Sequence, residues 1–148
     1  MRIEFLSERF RDQTRELINN EFKDYNPNQT FDDTLICLIC INGDDVVVGT
    51  ISLLDKDLPI HPYDKKGPWI GDLVVLSGFR NNLIATSLFD TLLECVDRCS
   101  YLWTSSDYVK KIVSKHTNTK FIETVIYKNK KVSVYYIEAS GTGSSRFL

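Results

Sequence analysis

Residues 78–87, GFRNNLIATS, stand between an apolar run, PWIGDLVVL, and a long amphipathic stretch, LIATSLFDTLLECV. A strand, a tight loop and a helix in that order make a place to hold an anionic group. The first turn of a helix offers backbone N–H donors that have no partner inside the helix. Arg80 suits the role of the one cation, and Thr86 and Ser87 add hydroxyl donors. In one respect the loop departs from a phosphate cradle: Arg80, Asn81 and Asn82 are followed by Leu83, with no glycine after Gly78. Glycine serves where φ is unusual or where a side chain would block the phosphate. With ordinary helical φ, Leu83 leaves the donors intact. With positive φ it carries roughly 1–2 kcal/mol of strain.

Four cysteines offer a second chemistry. Cys37 and Cys40 form a C-x-x-C, and Cys95 and Cys99 lie four apart. A zinc site would have to join the two pairs. TLICLICI reads as a strand, so an offset of three points Cys37 and Cys40 to opposite faces. Cys95 and Cys99 share a helix face that continues an apolar stripe. Buried, reduced thiols are the better reading, and no metal is expected.

The chain has 148 residues, 43% hydrophobic and 26% charged, with a formal net charge of −2. That suits one globular domain, set at residues 1–139, with a small polar tail at 140–148 expected to be flexible. The slight acidity argues against nucleic acid as the main partner. Lys128, Lys130 and Lys131 read as a solvated hairpin tip. No apolar run approaches the roughly 20 residues of a membrane helix, and MRIEFLSERF lacks the apolar core of a signal peptide. A soluble, cytoplasmic protein without a membrane partner is expected.

The elements that must position the loop follow from periodicity. MRIEFLS alternates and reads as a strand. Residues 8–23 space Phe10, Leu17, Ile18 and Phe22 as a helix, with Ser7 as its N-cap. Residues 24–33 form a polar loop around Pro27. TLICLICI, NGDD and VVVGTISLL read as a hairpin turning at Asn42-Gly43. The segment 55–68 holds three prolines and is a loop. WIGDLVVL is a strand and residues 82–99 a helix. YLWTSS is a short strand, DYVKKIVSKHT a short helix, and KFIETVIY, KNKK and VSVYYIEA a second hairpin. The order β-α-β-β-β-α-β-α-β-β makes a mixed α/β fold.

That order, with PWIGDLVVLSGFRNNLIATSLFDTLLECV, YLWTSS and FIETVIYKNKKVSVYYIEA, resembles the GNAT superfamily of N-acetyltransferases over nearly the whole chain. The resemblance implies a mostly antiparallel sheet with splayed central strands, flanked by helices, and acetyl-CoA as co-substrate. The family loop [QR]-x-x-G-x-[GA] falls on Arg80-Asn81-Asn82-Leu83-Ile84-Ala85: the arginine and the final small residue match, and the glycine does not. By the resemblance, Arg80, Asn81, Asn82, Leu83, Ile84, Ala85 and Thr86 hold the pyrophosphate. Backbone groups of Leu73, Val74 and Val75 pair with the pantetheine arm.

Transfer to an amine needs a base for the nucleophile and an acid for the leaving thiolate. Family members often carry a carboxylate on the central strand, which here is Asp72; Gly71 stands where some relatives have another. Asp72 reads as a base, as an orienter of the amine, or as a solvent-facing edge residue. The family's tyrosine acid aligns with Val113, so Tyr108, five residues earlier, is the acid candidate, with His116 the other option. His61 is a candidate for the acceptor side, along with the acidic loops at 24–33 and 55–68. The expected partner is an amine-bearing small molecule or peptide. A homodimer paired through the C-terminal hairpin is compatible with the pattern. The chain reads as an active N-acetyltransferase. The alternatives are a fold relative that has lost transfer and acts as a binding or regulatory protein, and a domain of similar element order unrelated to coenzyme A.

Overall fold

The computed structural model describes residues 1–25, 28–80 and 83–139. The expected tail at 140–148 and the loop centre at Pro27 lie outside the described residues. Seven strands and three helices alternate as expected: β1 (Arg2–Phe5), α1 (Arg11–Glu21), β2 (Thr34–Ile41), β3 (Val47–Leu54), β4 (Trp69–Val75), α2 (Ile84–Cys95), β5 (Ser100–Thr104), α3 (Asp107–Ser114), β6 (Thr119–Tyr127) and β7 (Lys130–Ile137). The strands form one sheet in the order β1-β2-β3-β4-β5-β7-β6. The pairs β1–β2, β5–β7 and β6–β7 are antiparallel, whereas β4 and β5 run parallel, with Trp69 opposite Tyr101 and Ile70 opposite Leu102.

Contacts cluster in two compact units. The first comprises Met1–Leu53 and Asp72–Leu92. Its core gathers Phe10, Ile18, Phe31, Cys37, Ile39, Ile41 and Val47, with Leu6, Leu17 and Phe22 packed against them. Phe10 and Ile18 reach this core two turns apart, and Thr14 between them hides its hydroxyl by donating to the Phe10 carbonyl at 2.8 Å. Every residue of β3 is buried. Gly49 lets α2 lie close on β3, since a Cβ there would stand 3.0 Å from both Ile84 Cγ2 and Leu88 Cδ1. Ile84, Ala85, Leu88, Phe89 and Leu92 form the buried stripe of α2.

The second unit comprises Leu54–Gly71 and Leu93–Leu148. Leu54, Leu58, Tyr63, Trp69 and Val134 make its core, with Tyr101, Trp103 and Tyr127 among the half-buried side chains around it. Trp69 is fully buried and donates its indole N–H to the Lys66 carbonyl at 2.6 Å. Tyr63 donates to Glu123 Oε2 at 2.8 Å, which ties the proline-rich loop to β6. Ser106 caps α3 by accepting from the Val109 N–H at 3.3 Å.

Several local expectations are corrected. The first helix is a 3₁₀ turn at Glu8–Phe10 followed by α1, and Ser7 precedes that turn without a capping side-chain hydrogen bond. The first hairpin is held by the Asn42 side chain, whose Oδ1 accepts from the N–H groups of Asp44 and Val46. Its left-handed residue is Asp45, at φ 58°, and not Gly43. The second hairpin turns on Lys128 and Asn129, both left-handed, which matches the twist of the strands they join. α2 ends at Cys95, because Ser100 already pairs with Ile137 and the chain must leave the helix first. Cys99 therefore lies beyond the helix and is half-exposed, and Cys95 is exposed. Only Cys37 and Cys40 are buried thiols.

Candidate active site

A left-handed backbone inside a strand is the starting point. Asp72, in the middle of β4, has φ 53°. Aspartate is among the few non-glycine residues that visit this region readily. One such residue breaks the alternation of a strand and re-aims its side chain, and β4 duly loses the strict in-out pattern at Gly71, Asp72 and Leu73. Asp72 is half-buried. Burial pushes its pKa up to about 6, against a lowering pull from the Gln29 amide.

That amide is fixed from several sides. Gln29 Nε2 donates to Asp72 Oδ2 at 2.6 Å, and Gln29 Oε1 accepts from the Phe31 N–H at 2.6 Å. The Gln29 N–H donates to Asn19 Oδ1 at 2.8 Å, and its carbonyl accepts from Arg15 Nε at 3.0 Å. Phe31 is itself left-handed, φ 64°, with its ring centroid 4.8 Å from the Arg11 guanidinium carbon and 5.6 Å from that of Arg15. Sequence reasoning missed Gln29, since a lone glutamine in a polar loop carries no pattern.

Beyond Asp72, Val74 and Val75 are buried and Leu73 is half-buried. The Leu76 N–H donates to the Val48 carbonyl at 2.8 Å, and a 3₁₀ turn at Ser77–Phe79 follows. Arg80 then folds back: its Nε donates to the Val75 carbonyl at 2.9 Å, and its Nη2 lies 3.4 Å from Glu21 Oε2 at the end of α1. One carbonyl expected to face the pantetheine arm is thus already tied to Arg80. Asn81 and Asn82 lie outside the described residues.

Leu83 takes the positive branch of the expectation, with φ 60°. It occupies the position where the family has glycine, and its backbone has the conformation that glycine supplies. The side chain is 66% exposed, so it serves no core. The Leu83 carbonyl accepts from the Ser87 N–H at 2.9 Å, the first bond of α2. Ile84 and Ala85 turn their side chains into the core and Thr86 is half-buried, which leaves the first-turn N–H groups as donors for an anion. The first unit therefore holds Asp72, the Leu73–Val75 backbone, Arg80 and the Leu83–Thr86 turn together.

The remaining candidates belong to the second unit. Tyr108 is on the first turn of α3 and 43% exposed, whereas Val113, at the position of the family's tyrosine, is fully buried. His61 is exposed and 3.7 Å from Asp64. At Gly71 an added Cβ would stand 2.8 Å from Leu54 Cδ1 and 2.9 Å from Asp57 Oδ2, so a side chain there would have to displace both side-chain ends. No group of three or more His, Cys, Asp or Glu side chains among the described residues could hold a metal ion, and no helix among them is long and apolar enough to cross a membrane.

Comparison with known proteins places these features in context. Residues 3–111 match the model of the acetyltransferase (GNAT) family. No curated protein sequence matches the chain. Among solved structures, a point variant of the Vibrio cholerae spermidine N-acetyltransferase SpeG superposes with a TM-score of 0.68, at 11% identity and 100% coverage of both chains. The GNAT-family N-acetyltransferase YhbS of Escherichia coli, in complex with CoA, gives 0.59 at 10% identity, covering 96% of this chain and 83% of that one. Glucosamine-6-phosphate N-acetyltransferase of Arabidopsis thaliana gives 0.50 at 16% identity, covering 86% of this chain and 97% of its own.

Proposed function

The chain belongs to the acetyltransferase (GNAT) family, and on that premise we propose that it is an acetyl-CoA-dependent N-acetyltransferase acting on a primary amine of a small molecule or peptide. The observation that carries this reading is Asp72: a carboxyl held inside the chain's own fold, with its pKa pushed up to about 6. A base does most good when its pKa lies near the working pH, and such a carboxylate is ionised yet basic at neutral pH. Spermidine and glucosamine-6-phosphate, named for two of the similar structures, are amines of the expected class.

The acetyl thioester supplies an activated acyl group, so the protein's part is placement and proton handling. The first-turn N–H groups of Ile84, Ala85 and Thr86, with the α2 dipole, favour the pyrophosphate, and Arg80 adds one cation at the loop. The exposed, left-handed Leu83 leaves those donors in place. Along Leu73–Val75, backbone groups pair with the extended arm of the thioester. Asp72 takes a proton from the incoming ammonium. The freed nitrogen forms its bond to the carbonyl carbon, the carbon–sulfur bond breaks, and the departing thiolate takes up a proton from water.

Calorimetric titration of acetyl-CoA into the native chain, beside Leu83→Gly and Arg80→Ala, tests the cofactor half. Thiol release with a panel of amines tests transfer. The expected result is micromolar binding by the native chain, with thiol released on addition of a primary amine. Binding by Leu83→Gly alone would overturn transfer and leave a fold relative whose site one side chain closes. Silence from both would remove coenzyme A from the reading.

A further inference from the structure

We infer that Gln29 is a positioning residue for the base: it grips the Asp72 carboxylate through Oδ2 and so assigns Oδ1 as the atom that takes the proton. The inference rests on the reading of Asp72 as the base of an acetyl transfer and specifies how that base is held.

An amide side chain has one accepting end and one donating end. The Phe31 N–H is a donor only, and it lies 2.6 Å from one end of the Gln29 amide. That end must be Oε1, so the end 2.6 Å from Asp72 is Nε2, a donor without acceptor capacity. A donor satisfies the ionised form of a carboxyl and offers nothing to its O–H. A proton arriving at Asp72 therefore goes to Oδ1, while Oδ2 keeps its bond to Gln29.

The amide is aimed from a braced backbone. Gln29 is 8% exposed, and two bonds to α1, through Asn19 and Arg15, hold its main chain. On β2, the titratable group that feels the Asp72 charge is the Cys37 thiol. It approaches Thr50 Oγ1 at 3.5 Å, and the Thr50 hydroxyl spends its proton on the Leu38 carbonyl at 3.0 Å. Burial, with the Asp72 charge beside it, pushes the thiol's pKa up. From α1, Arg11 acts on that thiol in the opposite sense. The hydrogen bond from Gln29 is thus a neutral device that favours the carboxylate against burial.

The test reads the carboxyl directly. Full-length protein labelled with ¹³C at aspartate carboxyls is titrated by NMR, the Asp72 signal being assigned by its loss in Asp72→Asn. Gln29→Leu deletes the donor. Gln29→Glu keeps the shape and the acceptor for Phe31 but turns an oxygen toward Asp72. In both, the Asp72 midpoint is expected to rise by about one pH unit or more, since hydrogen bonds to charged groups are the strong ones. The acid limb of kcat/KM should rise with it. An unmoved midpoint in folded variants overturns the inference, and if Gln29→Leu does not fold, Gln29→Glu decides. A moved midpoint in a protein that transfers acetyl to no amine upholds Gln29 and sinks the transferase reading. An acid limb that stays put while the midpoint moves takes the role of base from Asp72, and with it the positioning role of Gln29.

Discussion

Arg80 Nη2 lies 3.4 Å from Glu21 Oε2, fifty-nine residues earlier in the chain, while its Nε is bound to the Val75 carbonyl at 2.9 Å. The Arg80 guanidinium, proposed above as the cation for the pyrophosphate, is thus already shared with a carboxylate of α1. Both side chains are about half exposed, so the pair itself is worth roughly 0–1 kcal/mol. Glu21→Gln should release the guanidinium and tighten acetyl-CoA by roughly two- to fivefold, with little change in unfolding midpoint. Arg80→Ala should weaken binding by about tenfold or more, equivalent to about 1.4 kcal/mol. Parallel titrations at low and high salt check both, since the Arg80 contribution should shrink as salt rises.

Asp72 links activity to stability with opposite signs. Its folded-state pKa, about 6, lies above the ordinary 3.8, so the folded chain binds a proton more tightly than the unfolded one. The contribution of this group to stability is fullest at low pH. It is lost as pH rises from about 4 to about 6, by up to roughly 2–3 kcal/mol, and stays lost above that. Asp72→Asn should therefore raise the thermal midpoint at pH 8 and leave it nearly unchanged at pH 4. The same replacement should lower kcat/KM by about 10²–10⁴ and abolish its acid limb. Melting curves at the two pH values settle the stability half without any substrate.

Leu83 holds φ 60° with its side chain largely in water. Leu83→Gly removes backbone strain of about 1–2 kcal/mol, offset by about 0.4–1 kcal/mol of extra chain freedom in the unfolded state. The net expectation is stabilisation of about 0.5–1 kcal/mol, read by urea denaturation with an unchanged slope. Destabilisation would mean that the leucine makes contacts worth more than its strain.

Gly71→Ala places a methyl group 2.8 Å from Leu54 Cδ1 and 2.9 Å from Asp57 Oδ2. Overpacking of this kind costs about 1–3 kcal/mol. Gly71→Glu, which would restore a carboxylate seen in some relatives, should cost at least as much and lower activity rather than raise it. Denaturation midpoints of the two variants provide the check.

The order of elements was legible because each helix and strand has its own apolar period, from Leu17 and Ile18 in α1 to the alternating β5. Arg80 and Asp72 were legible as types at the right places in a family pattern. The partners that hold them were not. The positive φ of Asp72 lies inside a strand, where local sequence gives no turn signal. Gln29 reaches Asp72 across forty-three residues, and Glu21 reaches Arg80 across fifty-nine; such pairings exist only once the fold is made. The ends of elements were read least well, as at α2, because the register of β5 on β7 decides where the helix stops.

The crowding above Gly71 also imposes an order on change. A side chain at 71 must push aside the branched end of Leu54 and the carboxylate end of Asp57. Trimming Leu54 first opens a void in the core of the second unit, at a cost of about 2–5 kcal/mol. The two replacements relieve one another, since the space that one opens is the space that the other needs. The positions are therefore coupled: what a side chain at 71 costs depends on which residue stands at 54.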